Sequence, residues 1–305
     1  MTYLSTQEVA GLINVTETTV KRWADEGKIP CHKTLGGHRK FLLKDIVHFA
    51  EQNAYPLSGT VASRLPERQA QTLEVAVQTK NYEKISRLFY NEALKADRQA
   101  LYEMLSYLGK HHISLPVLAD QVVRPAMVRL GEQWQSGALD VDQEHLTSYA
   151  VLEALANLNP ELHRKPSHGR TAVCACTEGD YHELGLRMLS YALETEGWKV
   201  HYLGGNTPFR TLRSYMKSTR PELLCLSAAI IEGKKELIGR IRSIGNTARV
   251  MGTAYVVGGS FSVDYTPGDF NCDCVAHSVQ ETVAFLKDRF QLKPGPKTHQ
   301  GGVSR

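Results

Sequence analysis

The sequence predicts a multidomain chain of the α and α/β classes: a helix-turn-helix with a hairpin, a helical bundle, and a doubly wound parallel sheet. Three observations carry this. The 305 residues suffice for two or three separate cores, and 42% hydrophobic with 22% charged residues is ordinary globular composition. Apolar residues recur at helical spacing through residues 66–160. From residue 170 onward, short apolar runs alternate with amphipathic stretches, the signature of a parallel sheet with crossover helices. The longest apolar stretch, Leu223–Ile231, has nine residues, about half of a membrane span, so no membrane partner is expected. Met1-Thr2-Tyr3 opens no secretory signal, and six cysteines fit a reducing compartment. A cytoplasmic location is the expectation.

Residues 1–56 read as one unit. Ser5-Thr6-Gln7-Glu8 is a capping box ahead of Val9, Leu12 and Ile13. Thr16 can cap a second helix carrying Val20 and Trp23, with Gly27 at its C-terminal left-handed position. Ile29-Pro30 opens an extended stretch, Gly36-Gly37 supplies a turn, and Arg39–Leu42 returns as a strand. Asp45 is expected to cap a third helix. Residues 55–60 look like a linker. In residues 66–160, four or five helices with breaks expected at Gly109, Gly131 and Gly137 suggest a four-helix bundle. Its last helix carries Leu146, Tyr149, Leu152, Leu155 and Leu158. Residues 168–292 carry expected strands at Thr171–Cys176, Lys199–Tyr202, Leu223–Leu226, Ala254–Val257 and Cys274–Ala276, with helices between them. This is a Rossmann-like (flavodoxin-like) doubly wound order, whose site lies at the C-terminal strand edges. Residues 293–305, rich in glycine and proline, are expected to be disordered.

The net charge of +4 is unevenly spread. Residues 20–44 hold seven basic and two acidic residues, and the remainder 29 basic and 30 acidic. Such a patch on a helix-turn-helix attracts DNA phosphates. Arg22-Trp23, Gly27-Lys28-Ile29-Pro30 and Gly36-Gly37-His38-Arg39-Lys40-Phe41 together resemble the MerR family of winged-helix transcription regulators. The resemblance implies that Thr18, Thr19, Lys21 and Arg22 face double-stranded operator DNA. It places His38, Arg39 and Lys40 on the wing, gripping backbone phosphate, and Trp23 in the core. It also implies a dimer that matches a palindrome.

Asp180-Tyr181-His182-Glu183-Leu184-Gly185 follows the first strand of the expected sheet. An imidazole there faces the crevice, and a carboxylate two residues earlier can hold its second nitrogen, as behind a metal ligand. Ser227 ends the third strand and Gly258-Gly259 the fourth. Together the three resemble the cobalamin-binding module of methionine synthase and related corrinoid proteins. The resemblance implies that His182 is the axial cobalt ligand, with Asp180 and Ser227 behind it. It implies that Gly185 allows close approach, and that the cofactor's displaced base lies beside Ser227, Gly258 and Gly259. Ala229 stands where the pattern has leucine, which changes the packing of that slot and removes no polar group.

Within the bundle, Trp134 is followed after nine residues by Glu144-His145. With the modules on either side, this resembles the signature of the adenosylcobalamin-dependent photoreceptor repressors, the CarH/LitR group within the MerR family. The resemblance implies that Trp134 and Val141 pack on the adenosyl group, and that Glu144 and His145 contact or enclose it. It implies a tetramer on DNA in the dark and a monomer or dimer after light. This chain has Gln135 where members that form a bis-histidine photoproduct have histidine, so that adduct is not expected from this position. Two other readings stand beside the light-responsive one: a cobalamin-sensing regulator indifferent to light, and a corrinoid enzyme subunit. The basic wing argues against an enzyme. Cys174-Ala175-Cys176 and Cys272-Asp273-Cys274 lie in or near expected strands, where alternate residues share a face, and read as structural cysteines. His111-His112 is expected to begin a solvated loop. No Gly-x-Ser-x-Gly or Walker motif occurs.

Overall fold

A computed structural model of the protein describes residues 3–34, 36–53, 55, 65–229 and 234–292. The expected linker beyond Tyr55 and the tail from Lys293 lie outside the described residues. No helix among the described residues is long and apolar enough to cross a membrane.

The N-terminal head runs β1 (Tyr3–Ser5), α1 (Thr6–Leu12), α2 (Glu17–Asp25), β2 (His32–Lys33), β3 (Arg39–Leu42) and α3 (Leu43–Gln52). Both expected caps form. The Ser5 hydroxyl accepts from the Glu8 amide, and the Glu8 carboxylate accepts from the Ser5 amide, satisfying two orphan helix donors. Thr16 accepts from the Thr19 amide. Gly27, at φ +68°, releases the chain from α2. Two local expectations change. β1 pairs antiparallel with β3, making a three-stranded sheet of order β1-β3-β2. At three residues β1 is too short to show an alternation. Asp45 does not cap α3, because β3 runs directly into the helix at Leu43 and leaves Asp45 in its first turn. Trp23 anchors the core, with ring centroids 5.0 Å from Phe49 and 5.1 Å from Tyr55.

The bundle comprises α4 (Glu67–Gln78), α5 (Tyr82–Ala93), α6 (Arg98–Lys110), a continuous helical run from 115 to 135, and α9 (Val141–Leu158). That run consists of α7 (Leu115–Val117), a π-helical segment Leu118–Val123, and α8 (Arg124–Gln135). The chain turns at Gly137 (φ +75°) as expected, but Gly109 and Gly131 lie inside helices, and the turn near Gly109 comes at His112 (φ +62°). A glycine within a helix costs stability without requiring a break. His111 and His112 are exposed, as expected. The apolar face of α9 is only partly the expected one. Leu155 and Leu158 are buried as expected, but Leu146 and Tyr149 are 59% and 66% exposed. Thr147, Ala150, Val151 and Ala154 are buried in their place. Small residues on this face let α9 lie close against α6.

The C-terminal part carries β4 (Thr171–Cys176), α10 (Leu184–Thr195), β5 (Lys199–Gly204), α11 (Phe209–Thr219), β6 (Leu223–Ser227), α12 (Lys234–Met251), β7 (Ala254–Gly258), α13 (Pro267–Phe270), β8 (Cys274–Val275) and α14 (Val279–Arg289). Its sheet is parallel throughout, in the order β5-β4-β6-β7-β8. This is the expected doubly wound topology, with the order reversing between β4 and β6. Alternate strand residues serve different cores. Val173, Ala175, Leu224, Leu226 and Val257 face α11 and α12. Cys174, Cys176, Cys225 and Val256 face the other side, in one cluster continuous with the bundle. Cys174, Cys176 and Cys225 are buried and unbridged, and burial pushes the Cys176 thiol up to about 12. Cys272 and Cys274 are half-buried free thiols.

The joint between bundle and sheet is polar at one point. Asp120, in the π-helical segment, accepts from the amides of Val279 and Gln280 at 2.8 Å each. Those amides are among the orphan donors at the start of α14, and a carboxylate there also meets the positive end of the helix dipole. Ser278 accepts from the Glu281 amide at 3.0 Å, and Arg124 donates to the His277 carbonyl. The bundle therefore completes a helix of the sheet domain. Asp120→Ala is expected to lower the stability of the full chain by about 1–2 kcal/mol, as for loss of a helix cap, read as a lower denaturation midpoint.

Candidate functional site

β4 ends at Cys176, and the following loop carries Asp180 and His182 to the C-terminal edge of the sheet. Asp180 is fully buried. One carboxylate oxygen accepts from the His182 amide at 2.9 Å and bonds His182 Nδ1 at 3.0 Å. The other accepts from the Ala229 amide at 2.7 Å, beyond the end of β6. The Asp180 carbonyl accepts from the Asn206 amide at 2.7 Å. One side chain thus ties the loops after β4 and β6 together and sets the imidazole. With a carboxylate on Nδ1, the ring proton sits there, leaving the Nε2 lone pair for a ligand. The His182 side chain is 72% exposed. The hydrogen bond to Asp180 raises its pKa above the ordinary value against burial, and the charges of Asp180 and Glu144 act in the same direction.

At the neighbouring strand ends, Ser227 pairs in register with Cys176 and Gly258. The Ser227 carbonyl accepts from the Thr177 amide, and the Gly258 carbonyl from the Ala228 amide, each at 2.9 Å. Gly259 has φ +96°, and a Cβ there would lie 2.2 Å from the Ala228 carbonyl oxygen. Only glycine lets the two loops approach so closely. Gly185 sits in the first turn of α10 with open space beside it.

The remaining expected contacts lie on the bundle. Trp134, near the end of α8, is 47% exposed, and Val141, the first residue of α9, is 53% exposed. Glu144 accepts from Ser148 at 2.6 Å, and its other oxygen lies 3.7 Å from His145 Nε2. Its charge contributes to the raised His182 pKa. His145 and Gln135 are exposed. The sequence reading omitted a second set of residues that brace the loop. Asn206 accepts from the Gly179 amide and donates to the Tyr181 hydroxyl, both at 2.8 Å. Tyr181 is 72% exposed at the crevice. Glu183 accepts from Tyr202 at 2.8 Å and from Arg187 at 3.2 Å. The Arg187 guanidinium stacks 3.5 Å from the Tyr202 ring centre. The turn cluster Gly204-Gly205-Asn206-Thr207 was the available signal.

On the head, Thr18, Lys21, Arg22 and His38 are exposed, and Thr19 and Lys40 are half-buried. Lys21 lies 3.5 Å from Glu17, and Arg22 4.0 Å from Glu26, both weak surface pairs that leave the cations available. Arg39 departs from its expected role. It bonds Asp25 at 2.6 Å, and its side chain is only 20% exposed. It ties the wing to the end of α2 instead of reaching outward. Lys33, absent from the expected set, is exposed on β2.

Among the described residues, no group of three or more His, Cys, Asp or Glu is gathered around a metal position. A lone imidazole cannot hold a bare ion tightly, but it suits a metal whose other positions a macrocycle fills. The glycine-lined strand edges and the exposed Nε2 fit a corrinoid in the same way. Comparison with known proteins agrees. Residues 3–54 match the helix-turn-helix domain family, and residues 87–159 and 170–284 match two B12-binding domain families. The chain is 28% identical over 230 residues to the HTH-type transcriptional repressor CarH of Myxococcus xanthus, covering 72% of this chain and 76% of that one. The chain is CarH-like. It is also 38% identical over 89 residues to the repressor CarA of Myxococcus xanthus, covering 29% of this chain and 31% of that one. A solved monomethylamine corrinoid protein of Methanosarcina barkeri shares the fold, with TM-score 0.58 at 16% identity over 68% of this chain and 99% of that one. Together the matches support a cobalamin-binding transcription regulator with a DNA-binding head. Asp180→Asn is expected to weaken cobalamin binding about 10- to 100-fold, because the amide cannot accept from both His182 and Ala229 as the carboxylate does. Equilibrium dialysis with hydroxocobalamin measures this, and circular dichroism checks the fold.

Proposed function

We propose that this CarH-like chain is a light-responsive transcriptional repressor of the MerR type, which binds adenosylcobalamin through His182 and operator DNA through its head. The exposed His182 ring, held through Nδ1 by buried Asp180 at a glycine-lined strand edge, carries the reading. A cofactor held by His182 would lie beside the bundle, and the group it carries would bias how bundle and sheet domain meet. When bound, adenosylcobalamin would supply a light-labile cobalt–carbon bond.

The residues then have separate tasks. Asp180 holds the imidazole proton on Nδ1 and keeps Nε2 toward cobalt. Ser227, Gly258 and Gly259 border the slot for the displaced base, with no side chain at Gly259 to fill it, and Gly185 leaves room at the start of α10. Trp134 and Val141, both exposed, would cover an adenosyl group, and Glu144 and His145 would border it. On the head, Thr18, Thr19, Lys21 and Arg22 meet DNA in the major groove, with His38 and Lys40 on the wing. Subunits assemble as a tetramer in the dark, so that several heads bind together at high effective concentration. Loss of the adenosyl group in light would let the bundle and sheet domain take another arrangement and leave a monomer or dimer.

Gln135 favours keeping a second reading, a cobalamin-sensing regulator without a light response. Glutamine offers no imidazole to trap a lit state. The two readings differ in one measurement. With adenosylcobalamin bound, size-exclusion chromatography and gel shifts are expected to show a DNA-binding oligomer in darkness. Green light is expected to give a smaller species with at least tenfold weaker DNA binding. Unchanged size and binding after illumination would remove the light-responsive reading and leave the cobalamin sensor.

A further inference from the structure

The near-neutral charge of the chain outside the head conceals a strong separation. α11 with its C-terminal residue Arg220, and α12, carry nine basic residues: Arg210, Arg213, Lys217, Arg220, Lys234, Lys235, Arg240, Arg242 and Arg249. Glu236 is the single acidic residue on these two helices. Outside this layer and residues 20–44, the chain holds 20 basic and 29 acidic residues. The charge is therefore concentrated on two surfaces, the head and this layer.

The two helices lie side by side on the face of the sheet turned away from the bundle. Arg213 donates to Ser243 at 3.0 Å across them. Arg210, Lys217, Arg220, Lys234, Lys235 and Arg249 are exposed and make no ion pair among the described residues. Arg240 alone is neutralised, by Glu178 at 3.0 Å and Glu236 at 2.6 Å. Spacing aligns the cations, of which Arg242 also donates to the Asp269 carbonyl at 2.8 Å. Arg210 and Lys217 are seven residues apart on α11, as are Lys235, Arg242 and Arg249 on α12. Seven residues are close to two helical turns, so each set stands on one face at intervals of about 10 Å. The exposed hydroxyls of Thr211, Ser214 and Ser218 lie among them on α11. Rows of Lys and Arg interleaved with hydroxyls suit a run of phosphates.

We propose that the outer face of α11 and α12 is a second DNA-backbone surface, which contacts phosphates flanking the site held by the head. The proposal rests on the reading that the head binds DNA. Nine residues separate Tyr55, packed on Trp23 in the head, from Leu65, a reach of at most about 35 Å, so flanking duplex is accessible to the body of the same chain. Each phosphate neutralised releases counterions, so the contact is sequence-independent and visible as salt dependence.

The test uses the full chain with adenosylcobalamin, kept dark, and mixed-sequence duplexes of about 16 and about 50 base pairs, the shorter spanning one helix-turn-helix pair. Affinity is measured across a salt series for the wild type and for the triple variant Arg210→Gln, Lys217→Gln, Arg249→Gln. These side chains are exposed, so the fold is expected to survive, and circular dichroism verifies it. On the long duplex, the triple variant is expected to bind about tenfold more weakly, with a log–log salt slope smaller by about 3. On the short duplex it is expected to match the wild type. Equal affinity and slope on the long duplex would overturn the proposal. So would an equal loss on both duplexes, or a change in oligomeric state by light scattering, which would make the layer a contact between copies. The variant Lys21→Ala, Arg22→Ala separates the two readings. If it binds the short duplex as the wild type does, the head reading fails, whatever the layer does.

Discussion

A single buried carboxylate holds the candidate cofactor site together. Asp180 has no exposed surface, and it bonds the imidazole of His182, the His182 amide and the Ala229 amide at once. A buried charge is costly unless it is well paired, and here three donors surround it. The same contacts that stabilise the charge also fix the ring tautomer and the spacing of two loops. The geometry of the site and the cost of burying that charge are one problem with one solution. Gly259 is the steric counterpart of this arrangement, since any side chain there would drive the loop after β7 off Ala228.

Much of the architecture was legible because its signals are local. Caps at Ser5 and Thr16, the left-handed glycine at Gly27, and the alternation of apolar runs with amphipathic helices each report on a few neighbouring residues. Strand starts at Thr171, Lys199, Leu223, Ala254 and Cys274 follow from those runs. What escaped depends on distant partners. β1 exists because β3 lies beside it. The buried face of α9 is chosen by the close approach of α6, which prefers Ala150 and Ala154 to the larger Leu146 and Tyr149. Gly109 and Gly131 looked like breaks, but the surrounding helix outweighs their preference.

The site shows the same division. Asp180, His182, Ser227, Gly258 and Gly259 occur in short patterns with fixed places on a doubly wound sheet, so sequence reading could name them. Of the residues that steady the loop, only Asn206 had a local signal, the glycine turn after β5, whereas Tyr202 on β5 and Arg187 on α10 form no pattern along the chain. Arg39 is the instructive case on the head. Its position on the wing suggested a phosphate contact, but Asp25, fourteen residues earlier, captures it. A guanidinium with a carboxylate partner at that distance serves the internal geometry of the head first.

The hydrogen bonds from Val279 and Gln280 to Asp120 have a consequence for what counts as a unit in this molecule. Family boundaries divide the chain between residues 159 and 170. The hydrophobic cluster runs unbroken across that division, and the first amides of α14 are satisfied from the other side of it. The boundary is one of ancestry rather than cooperativity. Separated at that point, the sheet domain would expose a broad apolar face and an unfinished helix. Its native form as a thermodynamic entity is the pair, and a change at the junction of the two halves is felt by a single folding unit.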